Sequence, residues 1–166
     1  KPSFPVDFSI FGATMEFVHL EPGAPREIAG VTVTTMLQRH TGDSYGYRFE
    51  QNGRTVVYTT DSEHTLAGPE ETQAFVEFFR DADLVVMNGL GYDEWANKMV
   101  DTLSPRPPVV DAGEVVGLTE GDNPHVWYSP TFVPQVASAV SSELAALLPD
   151  AGSYLSDRTA AWTAAF

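Results

Sequence analysis

The chain has 166 residues, room for one domain or two very small ones, and its 43% hydrophobic and 19% charged content is globular rather than disordered. The net charge is −14, with 9 basic residues scattered among 23 acidic ones, so neither nucleic acid nor an anionic membrane is an expected partner. The absence of cysteine removes disulfides and thiolate metal sites, and no apolar run approaches the ~20 residues needed to span a membrane.

The first residue is Lys1, which suggests processing or a segment upstream, and no cationic leader ahead of an apolar stretch is visible. A soluble chain is expected, its compartment open and no protein partner indicated. Up to about residue 68 the sequence reads as strands. Met15–Leu20 and Val31–Leu37 are rich in aliphatic and β-branched residues and are separated by the turn formers Glu21-Pro22-Gly23 and Ala29-Gly30. Tyr45–Glu50 and Thr55–Thr60 flank Asn52-Gly53, a pair suited to the positive φ angles of a type I′ hairpin.

Beyond residue 68, helices alternate with short apolar runs. Gly68-Pro69-Glu70-Glu71 opens a helix, with Pro in the first turn and acids at the positive end of the dipole; its expected buried face is Ala74, Phe75, Phe78 and Phe79. Leu84–Met87 reads as a buried strand, Tyr92 to Leu103 as a helix, and Val109-Val110 as a brief strand after Pro107-Pro108. Ser129-Pro130 starts a long helix with the stripe Val133, Val136, Val140, Leu144 and Leu147; Pro149 ends it and Tyr154–Trp162 forms a last helix. The expected fold is α/β: a mixed sheet, antiparallel in its hairpin part and parallel in its helical part, with helices packed on it.

Two stretches carry family signals. Leu37-Gln38-Arg39-His40-Thr41-Gly42-Asp43-Ser44-Tyr45-Gly46-Tyr47-Arg48-Phe49-Glu50, with Val56 to His64 behind it, resembles the metallo-β-lactamase superfamily over about residues 4–87. The resemblance implies that His40 and Asp61 are metal ligands. That family's main H-x-H-x-D-H motif has no counterpart among His19, His40, His64 and His125. Asp83-Leu84-Val85-Val86-Met87-Asn88-Gly89-Leu90-Gly91-Tyr92-Asp93-Glu94-Trp95 and Asn123-Pro124-His125-Val126-Trp127-Tyr128-Ser129-Pro130 resemble the zinc and manganese solute-binding proteins of bacterial ABC importers, over about residues 82–166. That resemblance implies that His125 is a metal ligand.

The two resemblances meet in Asp81-Ala82-Asp83-Leu84-Val85-Val86, which fits both families. The sequence therefore reads as one domain built from fragments 1–83 and 84–166, an engineered or recombined hybrid without a complete active site, catalysis or import. The alternative is a module that binds zinc or another divalent ion through His40, Asp61 and His125, and a further one is a metal-dependent hydrolase. His64 reads as a loop residue, Trp95, Trp127 and Trp162 as packing residues, and Glu63, Glu70 and Glu71 as solvated carboxylates.

Overall fold

Positive-φ residues set the first half of the fold. In the computed structural model, which describes residues 17–59, 62–64 and 68–165, β1 (Arg26–Ile28) turns into β2 (Val31–Gln38) at Ala29-Gly30. β3 (Ser44–Gln51) turns into β4 (Arg54–Tyr58) at Asn52-Gly53, where φ is 52° and 72°, as expected for a type I′ turn.

The strand expected over Met15–Leu20 does not appear in its described part: residues 17–20 are irregular, and residues 15 and 16 lie outside the described residues. The outer side of β2 is taken instead by β1, which pairs Arg26 with Val33 and Ile28 with Val31. A short hairpin closes at less entropic cost than a longer loop, so the local partner wins over the more aliphatic one.

β4 then leads through α1 (Pro69–Phe79) to β5 (Leu84–Met87), and α2 (Glu94–Val100) leads to β6 (Val109–Asp111). The strands form one sheet in sequence order, antiparallel from β1 to β4 and parallel from β4 to β6. This is the expected mixed sheet. β5 is buried along its whole length because it lies between β4 and β6 with helices over both faces. The segment before it is fastened to β4: the Asp83 carboxylate accepts from Arg54 Nη1 and from the Thr55 N–H, both at 2.8 Å.

Alternate residues of the sheet face different helices, as the two-residue period of a strand requires. Val57, Val85 and Met87 pack with Phe75, Phe78 and Phe79 of α1 and Trp95, Ala96, Met99 and Val100 of α2. Ala74 is exposed, contrary to expectation: the buried stripe of α1 follows the three phenylalanines, and Ala74 falls outside it. Leu84, Val86 and Val110 meet Val136, Val140, Leu144 and Leu147 of α4 (Val133–Leu147), the stripe read from the sequence. α3 (Ala112–Val115) follows β6 directly, and α5 (Gly152–Ala165) packs on α4.

Candidate metal centre

His125 stands at the end of a loop that bends into a short 3-10 turn, Val126–Tyr128, ahead of α4. Its orientation is set two residues earlier. The Asn123 Oδ1 accepts the His125 backbone N–H at 3.1 Å and lies 2.7 Å from the ring Nδ1. A backbone N–H can only donate, so the amide atom facing it is the oxygen, and the ring must carry its proton on Nδ1. Nε2 is then the nitrogen with a free lone pair, on an exposed residue. A ligating imidazole held through its other nitrogen is the usual arrangement around zinc.

The wall beside His125 comes from the loop after β5. Gly89, Leu90 and Gly91 all have positive φ (76°, 60° and 77°), a costly run for the non-glycine residue in it. A Cβ on Gly89 would fall 2.0 Å from Asp111 Oδ1, so no other residue fits there. The loop is tied inward by Asp93, which is fully buried and accepts the N–H groups of Asn88 (2.7 Å) and Gly89 (2.8 Å). Burial pushes the Asp93 carboxyl up from 3.8 to about 6, against the pull of those two N–H bonds and helped by the Asp111 charge nearby. Burial also raises Asp111. The Asn88 side-chain amide donates to Pro124 O at 2.9 Å, joining this loop to the histidine loop. As a result the Tyr92 ring lies 5.8 Å from that of His125, with Trp127 and Tyr128 completing an aromatic group. The sequence reading missed Asp93 and Asn123; the only signal for the second was an amide two residues before the histidine.

His40 lies after β2, in a tight turn closed by Asp43 N–H on His40 O, and its Nδ1 is 3.5 Å from Glu63 Oε1. Asp61 lies outside the described residues. Segment 62–64 is lashed to the end of β2 by Glu63 N–H on Arg39 O (2.7 Å) and Arg39 N–H on His64 Nε2 (3.1 Å). His64 Nδ1 meets Glu71 Oε1 at 2.6 Å, so both of its nitrogens are used, and this loop residue also braces segment 62–64 against α1. Glu71 is correspondingly half-buried rather than solvated. The hollow lined by His40 and the one lined by His125 are separate, and Tyr92 contacts both regions. Among the described residues no three His, Cys, Asp or Glu side chains gather around one point. Also among them, no helix is long and apolar enough to cross a membrane.

A family model described as zinc-uptake complex component A, periplasmic (ZnuA), matches residues 52–166. A structure of ZnuA is similar at 28% identity over 63% of this chain and 41% of that one, with a TM-score of 0.47. The periplasmic zinc-binding protein TroA from Treponema pallidum is 25% identical over 53% of this chain and 34% of its own, with a TM-score of 0.47. The metallo-β-lactamase-fold protein YhfI from Bacillus subtilis is 28% identical over 42% of this chain and 26% of its own, with a TM-score of 0.35. The chain thus spans less than half the length of these solved proteins. No curated protein matches it.

Proposed function

Because the chain belongs to the zinc-uptake complex component A family, we propose that it is a zinc-binding module in which His125 supplies a nitrogen ligand through Nε2. The observation that carries this reading is the Asn123–His125 pair inside the matched region, which engages Nδ1 and fixes the ring so that Nε2 is the nitrogen left to ligate. Family membership supports zinc binding over the hybrid reading and lends the hydrolase reading no support; the matched region runs through Asp81–Val86 without a break.

A structural zinc ion takes four ligands, and His125 is one. Among the described residues no group of three possible ligands forms, and we retain His40 and Asp61 as a second donor pair to be tested. No catalytic step belongs to this reading, and it puts the module in the periplasm named by the family description. Dialysis against zinc followed by elemental analysis is expected to leave one equivalent on the parent chain and none on His125→Ala. His40→Ala measures whether the second pair contributes. Less than one equivalent on the parent, or full retention by His125→Ala, overturns the assignment.

A further inference from the structure

The layer between the sheet and the pair α4–α5 holds an apolar hollow of about 520 Å³. Its floor is the sheet face carrying Val56, Tyr58 and Val86; its roof is Val140 and Leu144 of α4 with Trp162 of α5. Protein interiors seldom leave a gap larger than a water molecule. This one also reaches solvent, since Tyr58 is 37% and Trp162 41% exposed and no residue of α4 or α5 is buried. An apolar hollow of this size that opens to water is built to take a small ligand, for which about 300–1,000 Å³ is usual.

Two features of the lining select the occupant. The first is its lack of polar partners. The Thr59 hydroxyl and the Asn88 amide are already bonded to Gln38 and Pro124. A peptide would bury N–H and C=O groups against walls that are mostly hydrocarbon, whereas a hydrocarbon tail brings none to satisfy.

The second feature is charge. Arg158 is the only charged side chain in the lining. In a chain with 23 acidic residues against 9 basic ones, a wall with an arginine and no carboxylate runs against the composition. Arg158 is exposed and forms no ion pair among the described residues. An arginine so placed lays its stem along the apolar wall and keeps the guanidinium at the mouth. There it can hold a carboxylate by two parallel hydrogen bonds.

We propose that this hollow binds a medium-chain fatty carboxylate, its tail between the sheet and α4 and its head at Arg158. The site needs no metal and uses none of the candidate zinc ligands.

The test is a calorimetric titration of the metal-free chain with sodium decanoate, kept below its micelle-forming concentration. Saturable uptake of about one equivalent at submillimolar affinity is expected. Octanoate, shorter by two methylenes, should bind about tenfold more weakly. The surface change Arg158→Gln should weaken decanoate about fivefold and leave 1-decanol unaffected. Ala137→Leu, which takes up space beneath α4, should weaken both by about tenfold. The proposal is overturned by a titration that never saturates, by equal binding of octanoate and decanoate, or by Arg158→Gln binding decanoate as the parent does. Unchanged binding to Ala137→Leu also overturns it, because the tail would then lie elsewhere.

Discussion

The two faces of the sheet are packed to different standards. Under α1 and α2, Phe79, Val57, Val85 and Val100 are wholly buried and the aromatic rings interlock edge to face. Under α4 and α5 no helical residue is buried, and an apolar hollow of about 520 Å³ lies between Val56, Tyr58 and Val86 of the sheet and Val140, Leu144 and Trp162 of the helices. α4 carries an apolar stripe as α1 does, so the lack of a stripe does not explain the looser layer. The difference is shape: phenylalanine and tryptophan fill one layer, while the valine and alanine side of α4 is too small to fill the other.

That contrast can be broken by substitution. Phe79→Ala should cost about 3–5 kcal/mol by chemical denaturation, since its neighbours are too tightly packed to collapse into the gap. A Phe79→Ala loss no larger than that of Val140→Ala would remove the contrast altogether. The next effect is electrostatic. Asp93 takes up its proton near pH 6 when folded and near 3.8 when unfolded, so the folded state binds it more readily between those values. Its contribution, about 3 kcal/mol, is therefore complete below about pH 4 and is lost as pH rises through about 6. Denaturation at pH 4.5 and 7.5, with Asp93→Asn alongside, isolates this term; a parent and variant with parallel pH profiles would contradict it.

Smaller effects sharpen the comparison. Val140→Ala should cost only about 1 kcal/mol, because a half-buried side chain beside an existing hollow has less contact to lose. Ala137→Leu should go the other way and stabilise by about 0.5–1 kcal/mol by filling that hollow, seen as a raised Tm. A destabilising Ala137→Leu would mean the α4 face is already full.

Local chemistry accounts for what the sequence discloses and what it hides. Asn52-Gly53 and Leu84–Met87 are legible because a turn pair and a continuous apolar run act within a few residues. The stripe of α4 is legible from its spacing. Ala74 was misplaced because one position of rotation around α1 separates buried from exposed, and periodicity alone does not fix the edge of a stripe. Asp93 looks like an ordinary acid at a helix start; its burial depends on Asn88 and Gly89 folding back over it. The contact of His64 with Trp95 was beyond sequence reasoning for the same reason, since residues 31 positions apart meet only through the crossover of α1 and β5. Among the candidate metal ligands, His125 could be named from its motif, but which of its nitrogens is engaged follows only from the Asn123 contact.

The four residues of β5 hold the hairpin region to the helical region. Val85 pairs with Val57 on one side and with Val109 on the other, and Val86 with Tyr58 and Val110. Neither region can peel away without stripping those peptide groups of their partners. Fraying can begin at the outer strands, but deuterium should enter the amides of this strand only when the whole molecule opens, at a rate that reports its global free energy of unfolding.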